Sequence, residues 1–109
     1  MQHRDEIVIK KIIEEIEIGI SMLGTIELES FLQDEKLKRA IAMTVINIGE
    51  LIKNVGQEVR NAHQEIPWRE AAGMRDLAAH KYQTLRMEDV YYTVKKDFPL
   101  LHDELKKII

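Results

Sequence analysis

Residues 34–59 read DEKLKRAIAMTVINIGELIKNVGQEV, and their hydrophobic pattern decides the fold. Apolar side chains recur every three or four positions, which is the spacing of one face of an α-helix. Further apolar residues flank this stripe, so the predicted helix is hydrophobic around most of its circumference, as expected of the central helix of a bundle. Asp34 is a candidate N-cap for this helix. The stripe consists of Leu37, Ile41, Thr44, Val45, Ile48, Ile52, Val55 and Val59.

The preceding and following segments supply helices that can pack on the central one. Residues 4–23 carry apolar side chains at helical spacing, and Gly24 is the residue type that commonly follows a helix. Residues 28–32 are expected to form one helical turn. A third helix is predicted to begin at Pro67, a type favoured at the first helical position. Trp68, the only tryptophan, is expected to anchor the core.

The C-terminal half completes a helical pattern. Several alanines and Gly73 make the third helix slim, so a neighbouring backbone can approach it closely. Residues 87–108 repeat apolar side chains at helical spacing, and Pro99 is predicted to kink or split this last helix near Asp97. No strand pattern is present. We therefore expect an all-α, antiparallel bundle of four to five helices in a single domain spanning residues 1–109.

Composition excludes several classes of protein. The sequence has no cysteine, which excludes disulfides and thiolate metal sites. It has no H-x3-H pair, carboxylate cluster or glycine-rich phosphate loop, so we expect neither a metal nor a cofactor. No apolar run approaches the ~18 residues of a membrane span. The N-terminus has no signal-peptide pattern, so a cytoplasmic protein without a membrane partner is expected.

The charge balance limits how the chain can bind nucleic acid. Its formal net charge is −3 and its isoelectric point is about 5.8. A general nucleic-acid binder usually presents a basic face, which this balance argues against. An RNA site on this chain would therefore have to be a local basic site, and the acidic balance also leaves room for a protein partner.

The chemistry is concentrated in one short stretch, in which Arg75, His80 and Tyr82 form the pattern R-x4-H-x-Y. Arg75 is a permanent cation whose planar fork of donors fits a phosphate. His80 is the type of side chain that exchanges a proton near neutral pH. A phosphate-binding cation and a proton-transfer group are what RNA cleavage without a metal needs: a base removes the 2′-hydroxyl proton, and a cation stabilises the charge that develops on the phosphate.

A purely structural interpretation of the same residues stays open on spacing alone. His80 and Lys81 could complement the dipole at the C-terminus of a helix, and Arg75 could form a surface ion pair. Asn47 and Glu50 belong to a polar strip on the central helix. That strip is either a solvated face or the polar lining of a catalytic cleft or subunit interface, so Asn47, Glu50 and Lys81 are supporting candidates for the site.

Residues 66–82 read IPWREAAGMRDLAAHKY, and this combination is far more specific than the arginine and histidine alone. It resembles the signature of HepT-like proteins, which are small ribonuclease toxins of the HEPN superfamily in bacteria and archaea. Their pattern is an I-P-W entry, a G-M-R, a polar residue after the arginine, and then the histidine and tyrosine. The similarity extends over nearly the whole chain, including residues 46–50 (INIGE) and 97–99 (DFP).

The resemblance implies a HEPN-like fold and the toxin component of a type II toxin–antitoxin system. The implied activity is that of a metal-independent endoribonuclease, which leaves a 2′,3′-cyclic phosphate and a 5′-hydroxyl. Arg75 would bind the scissile phosphate and His80 would transfer protons. Asp76 would orient Arg75 or the histidine of a partner subunit.

The geometry of a helix bears on how such a site is assembled. Five helical residues rotate by about 500°, so Arg75 and His80 project about 140° apart. Either the helix ends near His80 and the chain bends the imidazole back, or two copies share the site. The resemblance implies the second arrangement, a homodimer that brings two motifs together and supplies two His80 side chains as base and acid.

A regulatory role for Tyr82 is implied by the same resemblance. HepT-like toxins are typically paired with a minimal nucleotidyltransferase antitoxin, which transfers AMP from ATP to the motif tyrosine. Negative charge and bulk beside Arg75 would then compete with RNA phosphate. Two alternatives remain: a non-catalytic interaction or substrate-binding subunit of a nucleotidyltransferase, and an unrelated helical dimerisation domain.

Overall fold

The computed structural model describes residues 1–80 and 82–109, except for the side chains of Leu77 and Ala78. Within these residues the only regular elements are helical, which confirms the all-α prediction. Among the described residues, three long helices and a final unbroken run of helical segments correspond to the four predicted helices, and short helices lie in the connections. The elements are α1 (His3–Leu23), α2 (Leu28–Gln33), α3 (Glu35–Lys53), α4 (Gln57–Ala62), α5 (Trp68–His80), α6 (Met87–Tyr92), a π-helical segment (Thr93–Asp97) and α7 (Phe98–Lys107).

Helix α3 is the central element, as its sequence predicts. It packs most extensively against α5 and α1, and α1 packs in turn against α7. The Asp34 carboxylate caps α3 by accepting the Leu37 backbone N–H at 3.0 Å, which confirms the predicted N-cap. The apolar stripe is buried almost completely. Each Val, Leu or Ile side chain that is fully removed from water stabilises the bundle by about 1.5–3 kcal/mol.

The central helix is shorter than predicted, because it ends at Lys53 instead of continuing to Val59. The break is fixed by the buried carboxylate of Asp5, which accepts the Gly56 backbone N–H at 2.9 Å. A side chain on Gly56 would crowd that carboxylate at 3.1 Å. The Arg60 guanidinium then donates to the Ile52 carbonyl in the last turn of α3 at 2.6 Å and to the Val55 carbonyl just past the helix at 3.2 Å. The chain restarts as α4 with Val59 still buried.

The predictions for Trp68 and Pro99 are confirmed, but α5 begins one residue after the predicted start at Pro67, which lies just outside the helix and accepts the Ala71 N–H at 3.1 Å. Trp68 is the first residue of α5, is only 7% exposed, and donates its indole N–H to the His63 carbonyl at 3.0 Å. The last helix is split near Asp97, where the π-helical segment gives way to α7. Pro99 explains the split, because it has no N–H to donate to the carbonyl four residues earlier. Within the described ranges, no helix is both long enough and apolar enough to cross a bilayer.

Candidate active site

The site is built where α5 crosses α3 at close range. A β-carbon added to Gly49 of α3 would overlap the β-carbon of Arg75 and lie 3.3 Å from its α-carbon. Only glycine therefore lets the backbone of α5 approach so closely. The small residues of α5 do not provide this approach at Gly73, where an added β-carbon would meet nothing within 4 Å.

Four charged side chains meet at this crossing, and we call them the four-charge cluster: Glu50, Lys53, Arg75 and Asp76. Arg75 Nη2 lies 2.5 Å from Glu50 Oε1, and Arg75 Nη1 lies 2.8 Å from Asp76 Oδ1. The same Asp76 oxygen lies 3.0 Å from Lys53 Nζ. Two cations and two carboxylates thus alternate along the contact between α3 and α5, and the cluster is neutral as a whole.

The cluster keeps Arg75 and Asp76 in their charged forms. The hydrogen bond to Asp76, with support from Glu50, raises the pKa of Arg75 above its ordinary value. The hydrogen bond from Arg75, followed by that from Lys53, lowers the pKa of the Asp76 carboxyl. The Arg75 side chain is 26% exposed, yet its Nε is buried and has no hydrogen-bond partner among the described residues. Arg75 is therefore oriented through its two Nη atoms.

His80 and Tyr82 lie beyond the cluster. His80 is the last residue of α5 and is exposed. Because His80 is itself helical, the backbone does not turn its imidazole back toward Arg75, and the two side chains leave the helix about 140° apart. Tyr82 is partly buried, and the Arg39 guanidinium carbon lies 5.2 Å from the centre of its ring. Lys81, a supporting candidate, lies outside the described residues.

The two remaining candidates line a groove between α1 and α3. Asn47 donates its side-chain amide to Glu15 at 3.2 Å. Glu50, one turn further along α3, connects this groove to the four-charge cluster through its contact with Arg75. The groove has a volume of about 460 Å³ and is lined by Lys11, Glu14, Glu15, Asn47, Glu50 and Leu51. It is more acidic than basic, which disfavours a nucleic-acid phosphate inside it.

The sequence of the chain matches a family model described as Ribonuclease HepT-like over residues 9–108. This range contains α3, α5 and every residue of the R-x4-H-x-Y pattern. The chain belongs to the HepT-like ribonuclease family. The prediction of this family from residues 66–82 is thereby confirmed.

Individual relatives agree with the family assignment. The HepT-like chain is 35% identical to a protein named as a candidate RNase from Caldanaerobacter subterraneus subsp. tengcongensis, over 93% of this chain and 90% of the relative. It is 36% identical to one named as a candidate ribonuclease HepT from Thermococcus cleftensis, over 97% and 94% of the two chains. A third, named as a candidate RNase from Methanocaldococcus jannaschii, is 32% identical over 90% and 81%. No solved structure matches the chain significantly.

Three of the described residues lie against the predicted site residues but were not themselves predicted: Gly49, Lys53 and Arg39. Gly49 carried a local signal, since a glycine inside a strongly helical pattern often marks close backbone approach. Lys53 follows Glu50 by three positions on α3 and so shares its face. Arg39 carried no local signal, because its contact with Tyr82 joins residues far apart in the sequence and depends on how α3 and α5 pack.

Proposed function

We propose that this HepT-like protein is a metal-independent endoribonuclease and the toxin component of a type II toxin–antitoxin system. One observation carries the proposal. Arg75 is held charged and oriented by Glu50 and Asp76 at the crossing of two helices, while His80 on the same helix is exposed to solvent. An oriented cation and an accessible imidazole are the two groups that 2′-hydroxyl attack on RNA requires.

The reaction is a transesterification. A His80 imidazole takes the 2′-hydroxyl proton, and the 2′-oxygen forms a bond to the adjacent phosphorus while the bond from phosphorus to the 5′-oxygen breaks. Arg75 binds the phosphate and stabilises the charge that develops on it. An imidazolium returns a proton to the leaving 5′-oxygen, so the products are a 2′,3′-cyclic phosphate and a 5′-hydroxyl.

A homodimer supplies both proton-transfer groups. Within one protomer, Arg75 and His80 leave α5 about 140° apart, so one copy does not direct both groups to a single phosphate. A two-fold axis beside the end of α5 would place His80 of one protomer near the cluster of the other and would bring two imidazoles together. Cleavage activity should therefore depend on protein concentration in the range where the dimer dissociates.

Regulation through Tyr82 completes the proposal. A cognate nucleotidyltransferase antitoxin would attach AMP from ATP to the Tyr82 phenol oxygen, with pyrophosphate as the leaving group. Tyr82 follows His80 by two residues, so an adenylate there would bring a phosphate and a nucleoside to the end of α5. Negative charge at that point disfavours the approach of an RNA backbone.

The test of catalysis is RNA cleavage in excess EDTA by the wild type and by His80→Ala. The protein is prepared without a nucleotidyltransferase, and intact mass verifies that Tyr82 is unmodified. The matched control is His3→Ala, which removes an exposed histidine at the start of α1. We expect cyclic-phosphate ends from the wild type and from His3→Ala only. Equal cleavage by His80→Ala would refute the assigned role of His80.

A second candidate function is that of a non-catalytic partner subunit of a nucleotidyltransferase. It is favoured by the neutrality of the four-charge cluster and the net charge of −3, which give Arg75 little surplus attraction for RNA. Both functions predict association with a nucleotidyltransferase. Only the first predicts cleavage that depends on His80, so absence of cleavage by unmodified, dimeric protein across total RNA would favour the second.

A further inference from the structure

Arg39 differs from the cations of the four-charge cluster in its surroundings. Its guanidinium is exposed and lies over the Tyr82 ring, 5.2 Å from the ring centre. Among the described residues it forms no ion pair with a carboxylate, whereas Arg75 contacts two carboxylates and Lys53 contacts one. No carboxylate in the part of the chain that the structure describes therefore cancels the charge of Arg39.

Arg39 also lies along the contact between α3 and α5 that holds Arg75, and we call this contact the seam. Helices α3 and α5 are antiparallel, because Gly49 contacts Arg75 whereas Arg39, ten residues earlier, contacts Tyr82 just past the end of α5. Ten helical residues span about 15 Å along the helix axis. The seam thus carries the oriented cation Arg75 beside Gly49 and, about three helical turns earlier on α3, Arg39 over the Tyr82 ring, where no carboxylate among the described residues pairs with it.

We propose that Arg39 and Tyr82 form a second RNA-binding subsite, which holds a nucleotide a few positions from the scissile bond. This inference rests on the proposed ribonuclease function. Single-stranded RNA is recognised by aromatic and guanidinium surfaces on which bases stack, combined with cations that track the backbone. The pair of Arg39 and Tyr82 offers both elements at one place. The class of substrate is accordingly a single strand that extends along the seam between α3 and α5.

The subsite gives the modification of Tyr82 a specific physical consequence. A phosphate on the phenol oxygen would lie next to Arg39, the cation that otherwise attracts the RNA backbone. The adenylate would then occupy the subsite from within the protein. Silencing would follow without direct contact between the adenylate and Arg75.

The subsite is tested by RNA binding in the cleavage-deficient His80→Ala background, with Tyr82 unmodified. The probe is a fluorescent oligouridylate of about 12 nucleotides, within the span that one single-strand binding domain covers. Three further substitutions are compared: Arg39→Gln, Arg39→Lys and the control Lys106→Gln. Lys106 is exposed in the last turn of α7, so Lys106→Gln removes the same unit of charge far along the chain from the seam. Thermal unfolding verifies that each variant folds.

The measured quantity is the dissociation constant over a series of salt concentrations. Loss of one phosphate contact on a single strand lowers the slope of log affinity against log salt by about 0.7. We expect this loss for Arg39→Gln, with binding about tenfold weaker at low salt, because the variant loses both a phosphate contact and a planar surface for a base. Arg39→Lys should keep the slope but bind more weakly, since an ammonium lacks the stacking plane.

Two results would overturn the subsite: a slope for Arg39→Gln equal to that of Lys106→Gln, or no binding of oligouridylate by the His80→Ala protein at low salt. Either result is compatible with His80-dependent cleavage in EDTA. The subsite proposal can therefore be refuted while the ribonuclease proposal stands. Conversely, a slope change at Arg39 without any cleavage by the wild type would refute the ribonuclease proposal and leave an RNA-binding surface.

Discussion

Replacement of Gly49 by alanine tests whether the close crossing of α3 and α5 builds the site. The added β-carbon would overlap the Arg75 β-carbon and approach the Arg75 backbone at 3.3 Å, so it cannot be accommodated by rotation of a flexible side-chain end. Ordinary carbon–carbon contacts are about 3.5–4.0 Å, so α5 would have to move away by roughly 1 Å or more. The 2.5 Å contact between Arg75 and Glu50 would be strained or lost.

Gly73→Ala is the matched control. It makes the same chemical change in the interior of α5, where the added β-carbon meets nothing within 4 Å. Each glycine-to-alanine exchange gains about 1 kcal/mol from helix propensity, so this term cancels in the comparison. Only Gly49→Ala also overpacks the interface, which typically costs about 1–3 kcal/mol. Gly49→Ala should therefore be less stable than Gly73→Ala by about that amount.

Urea and thermal unfolding, followed by the fluorescence of the single buried tryptophan, measure this difference. A difference of about 2 kcal/mol corresponds to a melting temperature lower by roughly 8 °C in a domain of this size. Gly49→Ala should also lower the rate of RNA cleavage, because Arg75 loses its orientation. If Gly49→Ala is as stable as Gly73→Ala, the helices are not held at this distance and the account of the site is wrong.

Two further predictions concern stability. Asp76→Asn should be less stable than the wild type at neutral pH, and this difference in the free energy of unfolding should close as the pH falls below about 3.8. The reason is that a carboxyl whose pKa is lowered by Arg75 stabilises the fold above its ordinary pKa and loses that effect as it is protonated in acid. A difference that persists unchanged in acid would contradict this. Tyr91→Phe should lower the free energy of unfolding in urea by about 1–3 kcal/mol, because the buried Tyr91 hydroxyl donates to the Ile26 carbonyl at 2.7 Å. The control Tyr92→Phe, at a position that is 44% exposed, should be neutral. Equal effects of the two substitutions would argue against the hydrogen bond.

The helical fold was predictable because most of its determinants are local. Apolar spacing, the Asp34 cap and the missing N–H of Pro99 involve only residues within a few positions of each other. The end of α3 was not predictable in this way. Val55 and Val59 continue the helical spacing across the break, and the break is fixed by Asp5, about fifty residues away in the sequence.

Sequence patterns indicated the candidate site residues, whose roles stay predictions, but not how those residues pair. The motif indicated that Arg75 binds an anion, and the polar strip on the central helix indicated Glu50. The structure pairs these two residues with each other, and it adds Lys53 as a second partner of Asp76. Such pairings depend on which faces of α3 and α5 meet, and that choice is made by packing at Gly49 and not by any local pattern.

The neutrality of the four-charge cluster bears on how the proposed enzyme would select its substrate. RNA phosphate can reach Arg75 only by competing with Glu50, which holds the guanidinium at 2.5 Å. Such an exchange of one anion for another yields little net binding free energy, because the cation is paired before and after it. Affinity must then come from contacts away from the scissile phosphate. Arg39, whose guanidinium lies over the Tyr82 ring and has no carboxylate partner among the described residues, is a cation placed to supply such a contact. An adenylate on Tyr82 would therefore lower the affinity for RNA by blocking the contact with Arg39, while the four-charge cluster around Arg75 stayed intact.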